Sequence, residues 1–171
     1  WRLAFPLSYR TSLQRYSKTH GIELNLLAGL IRQESEFGVR AVSRAGARGL
    51  MQVLPATGRQ LASRLKLKGY SAASLFTADM NIRLGSYYLR GLLDAYGGRL
   101  EPALAAYNGG KARVDEWLTW AAFREPAEFI ETIPITETRG YVQAVLRNSW
   151  AYGRIYLGEP VRPQGVSSAR E

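Results

Sequence analysis

Glu34 is the residue whose type and position point most directly to chemistry. It lies in the segment Leu24–Phe37, whose apolar residues recur at helical spacing. With successive residues about 100° apart, Leu27 and Leu30 lie within about 40° of Glu34, and Ile31 and Phe37 about 60° to either side. Asn25, Arg32 and Glu36 fall on the opposite face. The apolar stripe of this helix is thus centred near an acid. A carboxyl group among apolar neighbours loses hydration, and its pKa rises. A carboxylic acid kept protonated near neutral pH suits general acid catalysis of glycosidic cleavage. The competing reading is a buried acid paired with an arginine, since most of the 23 cationic residues are Arg.

Glycosidases that use two carboxylates hold them about 5–9.5 Å apart. Glu36 is two residues from Glu34 and points backwards. Glu23 shares nearly the same face but lies about 16 Å away along the axis. Asp79, Glu101, Glu131 and Glu137 could reach Glu34 only through tertiary folding. The local pattern therefore supplies one acid without a neighbouring nucleophile. Other chemistries have little material. There is no Cys, which removes thiol nucleophiles, disulfides and thiolate metal sites. The single histidine, His20, sits beside Gly21 as a helix-end residue and cannot build a metal cluster alone. No cofactor and no metal are expected.

The elements that must position Glu34 read as helices nearly throughout. An amphipathic segment covers Ser8–Lys18 and stops near Gly21, and Leu24–Phe37 follows. Pro55 suits the first turn of a third helix, where a missing N–H needs no partner. Thr77 is placed to cap a long helix ending at Gly97-Gly98. A short helix runs from Glu101 to Gly109-Gly110, another covers Arg113–Ala122, and a loop with Pro134 leads to a last helix over Glu137–Leu157. Alternating strand patterns are scarce, and a small β element is allowed only within Arg40–Met51. The expected class is all-α, in one domain over residues 1–157 with a tail over 158–171.

The chain has 171 residues and a hydrophobic fraction of 46%, enough for a sizeable core. A net charge of +9 favours anionic partners without choosing among them. No apolar run approaches the roughly 20 residues of a membrane span. There is no concentrated Lys/Arg run and no nucleic-acid motif, so nucleic acid is not an expected partner. The first residue is Trp1 rather than Met, so an export signal is expected to have been removed.

Four ordered segments carry a resemblance. They are Ile31-Arg32-Gln33-Glu34-Ser35, Gly46–Pro55 (reading GARGLMQVLP), Ala105–Gly110 (AAYNGG), and Glu131-Thr132-Ile133-Pro134 leading into Glu137–Val142 (ETRGYV). Together they resemble the catalytic domain of the soluble lytic transglycosylases, a lysozyme-like family, over about Pro6 to Tyr156. The resemblance implies a lysozyme-like helical domain with a substrate groove. It implies cleavage of the β-1,4 bond between N-acetylmuramic acid and N-acetylglucosamine, leaving a 1,6-anhydromuramoyl end. Glu34 would act first as acid and then as base, so a second carboxylate is not required. Ser43, Met51, Gln52, Tyr107, Asn108, Glu137 and Tyr141 match substrate-binding positions. Peptidoglycan glycan strands, and other cell-wall enzymes, are the implied partners, and the bacterial periplasm the implied location. Two departures stand out: Leu54 where the family commonly has Met, and Gly109 where it more often has Ala. A hydrolase of the same bond and a non-catalytic peptidoglycan-binding module are the competing functions.

Overall fold

The computed structural model describes residues 3–123 and 125–158. Eight α-helices are found among them: α1 (Arg10–His20), α2 (Leu24–Ser35), α3 (Pro55–Arg64), α4 (Ala78–Ala95), α5 (Leu100–Gly109), α6 (Lys111–Trp117), α7 (Pro126–Thr132) and α8 (Thr136–Tyr152). A 3-10 turn, Ala72–Phe76, precedes α4, and a π-helical turn, Gly153–Leu157, ends α8. The all-α class is therefore observed. Residues 159–171, most of the expected tail, lie outside the described residues.

Helix α2 is the axis of the core. Six consecutive residues, Leu26 to Ile31, are buried, so its middle turns are enclosed on every side rather than along one stripe. Such a helix must be apolar all round, as Leu-Leu-Ala-Gly-Leu-Ile is. Its main neighbour is α8. A Cβ on Gly29 would strike the backbone of Ser149 and Val145, so glycine allows the two helices to touch backbone to backbone. Five residues further along α2, Glu34 meets Tyr141, which precedes Ser149 on α8. The two helices are thus antiparallel, and their close approach sets where Tyr141 can reach.

Several boundaries differ from the sequence expectation. α2 stops at Ser35 rather than Phe37, because Glu36 and Phe37 both take left-handed backbone (φ 49° and 66°). Phe37 nevertheless stays buried, 6.1 Å from the Tyr152 ring. α1 begins at Arg10 after a left-handed Tyr9 and runs on to His20, where Gly21 caps it. α6 ends at Trp117, five residues early. The 3-10 turn and α7 were not anticipated, although Pro126 at the helix start and the Glu125–Glu128 capping box are the usual marks of an N-terminus. Thr77 occupies the cap position of α4, but its side chain makes no capping bond. The small β element consists of two isolated antiparallel bridges, Val42 with Arg48 and Arg48 with Val53, so it extends slightly past Met51.

Candidate active site

Glu34 lies in the last turn of α2, where the helix emerges from the core. Its carboxyl group is partly exposed, yet its surroundings are apolar, and burial raises its pKa to about 7. One hydrogen bond opposes this: the Tyr141 hydroxyl donates to Glu34 Oε1 at 2.6 Å. A neutral donor stabilises the carboxylate less than a cation would, so desolvation wins. Among the described residues no arginine or lysine acts on Glu34, which decides against a buried ion pair there.

Tyr141 is itself buried on α8, and burial, followed by the charge of Glu34, pushes its pKa well above the usual 10. It remains a hydroxyl at any physiological pH and can only be a neutral donor to the acid. Tyr107 on α5 is shifted the same way, first by burial and then by Glu34. Its hydroxyl donates to the Met51 carbonyl at 2.8 Å, and its ring lies 5.3 Å from Tyr88. Two tyrosines thus stand beside the acid, one holding its carboxylate and one holding the loop next to it.

That loop, residues 36–54, is fastened at several points. Ser35 Oγ donates to the Leu50 carbonyl at 2.8 Å, tying the turn after Glu34 directly to the loop. Asn81 on α4 is fully buried and accepts from Met51 N–H at 2.7 Å. Its amide nitrogen donates to Arg48 and Leu75 carbonyls, each at 2.8 Å. Both halves of the buried amide are thus engaged by backbone groups of the loop and of the 3-10 turn. Gly49, at φ 73°, leaves no room for a Cβ against Asn81 and Leu75. Asn81 escaped the sequence reading: an Asn in the first turn of a helix is ordinary, and only tertiary structure brings the loop to it.

The residues expected to bind substrate are placed as follows. Tyr141 and Tyr107 stand with Glu34. Met51 corrects the expectation of a groove-lining side chain: it is fully buried, with its thioether packed against Gly85, and only its backbone serves the loop. Gln52 sits beside the loop in left-handed backbone (φ 48°). Its amide nitrogen donates to Gly49 and Ala41 carbonyls at 2.9 and 3.3 Å, so the donor half of the amide is already committed. Ser43 is exposed, and its Oγ accepts from Ala47 N–H at 3.1 Å within a turn. Asn108 accepts from Thr138 Oγ1 at 2.8 Å, docking the end of α5 on the start of α8. Glu137 is exposed in the first turn of α8, one turn before Tyr141 and so on the same helix face. Leu54 is half exposed just before α3.

The site is thus one desolvated acid on a helical scaffold, flanked by the buried Tyr141, the half-buried Tyr107 and a loop pinned through the buried Asn81. The transglycosylase SLT domain pattern matches residues 11–130, and the chain belongs to that family. Over 157 residues it is 36% identical to the soluble lytic murein transglycosylase of Escherichia coli (strain K12), covering 91% of this chain and 24% of that protein. Among solved structures, an inactive mutant of the lytic transglycosylase Slt from Pseudomonas aeruginosa superposes with a TM-score of 0.88. It is 37% identical, covering 94% of this chain and 26% of that one. The 70-kDa soluble lytic transglycosylase from Escherichia coli gives 0.86 at 36% identity, covering 92% and 26%. The chain therefore spans about a quarter of the length of these relatives. Tyr141 lies beyond the stretch matched by the family pattern, although it touches the acid.

Proposed function

We propose that this chain is a peptidoglycan lytic transglycosylase, cleaving the β-1,4 bond between N-acetylmuramic acid and N-acetylglucosamine with formation of a 1,6-anhydromuramoyl product. The observation that carries this reading is the state of Glu34. A pKa of about 7 leaves the acid half protonated at neutral pH, so one group can both give and take a proton. In the first half-reaction Glu34 protonates the glycosidic oxygen as the bond to C1 of the muramoyl sugar breaks. In the second, the Glu34 carboxylate accepts the proton of the C6 hydroxyl as that oxygen bonds to C1. The acid returns to its starting state, and no water is consumed.

The other residues take supporting parts. Tyr141 holds Oε1 and steadies the carboxylate between the two steps. Tyr107 fixes the Met51 carbonyl and, with it, the loop beside the acid. Gln52, its nitrogen occupied, would offer its amide oxygen to an acetamido N–H. Ser43, Asn108 and Glu137 are assigned to the sugar-binding groove, with Glu137 and Tyr141 sharing a face of α8. Residues 1–157 act as the catalytic domain, with no cofactor. The work site is the bacterial envelope, in the periplasm. Among the described residues no helix is long and apolar enough to cross a membrane.

Mass analysis of the products released from purified sacculi tests the proposal. The expected muramoyl ends are lighter by one water than reducing ends. Reducing ends would make the chain a hydrolase of the same bond, and binding without release would make it a non-catalytic module.

A further inference from the structure

The positive charge of this chain is not spread over it. Between Glu36 and Asp79 there is no acidic residue, while Arg40, Arg44, Arg48, Arg59, Arg64, Lys66 and Lys68 fall in the same stretch. These seven cations account for most of the net charge of +9, and the rest of the chain is nearly balanced. The stretch is the loop beside Glu34 together with α3 and the turn that follows it.

Only Arg48 is used internally. Its guanidinium donates to the Ala72 carbonyl at 3.1 Å and lies over the Phe76 ring. Arg40, Arg44, Arg59, Arg64, Lys66 and Lys68 are all exposed. The ion pairs found among the described residues use Arg15, Arg90 and Lys111, none of them in this stretch. The loop and α3 also form one unit. Tyr70, after α3, donates to the Pro55 carbonyl, and the charges of Arg59 and Arg48 both bear on its hydroxyl. The loop in turn is bound to the catalytic helix through Ser35 and Leu50. A one-signed stretch of exposed, unneutralised cations is thus tied to the element that carries the acid. Fields of this kind concentrate anionic ligands.

We propose that the exposed cations from Arg40 to Lys68 form a docking face for the carboxylates of the peptides borne by the glycan strand in the Glu34 groove. The inference rests on the proposed function, for it takes its ligand from that substrate. Arginine's paired donors suit carboxylates, and lysine adds unspecific attraction. The face gives affinity for decorated strands and leaves the bond-breaking step to Glu34.

Binding without turnover is the readout, so the test uses the full chain carrying Glu34→Gln. A second protein adds Arg59→Gln, Arg64→Gln, Lys66→Gln and Lys68→Gln, all exposed positions outside the core. Both are sedimented with native sacculi, with sacculi whose carboxylates have been amidated, and with phosphatidylglycerol vesicles. Loss of four weak surface contacts is expected to lower affinity for native sacculi on the order of tenfold. Amidation should weaken the parent by a similar factor, and the two losses should not add. Circular dichroism confirms that both proteins are folded. Equal binding of the two proteins to native sacculi would overturn the proposal. So would an undiminished loss on amidated sacculi, or a loss confined to the vesicles, which would mark the face as a membrane surface. Continued turnover by the Glu34→Gln protein would instead count against the catalytic assignment, leaving the binding comparison readable.

Discussion

Three carboxylates among the described residues accept a hydrogen bond from a buried tyrosine, Asp79, Asp115 and Glu34, and the contrast between Asp79 and Glu34 is the instructive one. At the contact between α1 and α4, Asp79 receives Tyr16 at 2.7 Å, Ser12 at 2.9 Å and the Arg15 guanidinium at 3.1 Å. At the contact between α2 and α8, Glu34 receives only Tyr141 among the described residues. The first arrangement surrounds the carboxylate with three donors, one of them a cation. The second removes water and returns only one neutral donor, which leaves the proton weakly favoured near neutral pH. An arginine-rich chain that keeps arginine away from one particular acid leaves it in the state that the proposed proton transfer requires. The difference lies in what is withheld from Glu34 as much as in what is supplied.

Removing each acid is the strongest way to probe this contrast. Glu34→Gln keeps the shape and abolishes proton transfer. Its release of anhydromuropeptides should fall about a thousandfold, within the range for general acid–base groups. The same substitution should change stability in the opposite sense. The folded pKa of Glu34, about 7, exceeds its ordinary 4.5, so the folded state binds more protons between those values. Wild-type stability is therefore lost as pH rises from about 4.5 to about 7, by roughly 3 kcal/mol at full effect. Denaturation at pH 4 and pH 8 should show the Gln variant gaining by that amount on wild type at the higher pH. Parallel curves would contradict the desolvated state.

Smaller changes sharpen the comparison. Tyr141→Phe removes the one interaction that lowers the Glu34 pKa, so the alkaline limb of kcat against pH should move upward. The loss of a bond to the charged form should lower kcat about tenfold with little change in KM. Asp79→Asn should cost on the order of 1 kcal/mol in denaturant melts, since its arginine pair is largely solvated. It should leave the pH profile of kcat in place. A shifted profile would mean the two acids are coupled, which their separate helix contacts do not support.

Much of this was visible in the sequence, for local reasons. Glu34 in an apolar run and the glycines and prolines that bound the main helices are short-range signals. The four motifs located Tyr107 and Tyr141, but their placement beside Glu34 depends on α2 and α8 touching at Gly29. Met51 was misplaced because a thioether in a loop motif looks the same whether it faces a groove or the core, and the missing side chain of Gly85, whose space Met51 fills, decides. Asn81 was missed because two of its three partners are backbone groups of a loop some 30 residues away and the third is a carbonyl of the 3-10 turn, none carrying a pattern of its own. The single stripe on α2 was an understatement. A helix enclosed on all sides has no polar face, and Glu34 is polar only where the helix leaves the core.

The most direct test is a 13C NMR titration of the Glu34 side-chain carboxyl, assigned by its loss in Glu34→Gln. A midpoint near 7, moving higher in Tyr141→Phe, is the result predicted. A midpoint near 4.5, unaffected by Tyr141, would mean that the acid is solvated like any other and that the proposed proton exchange lacks its physical basis.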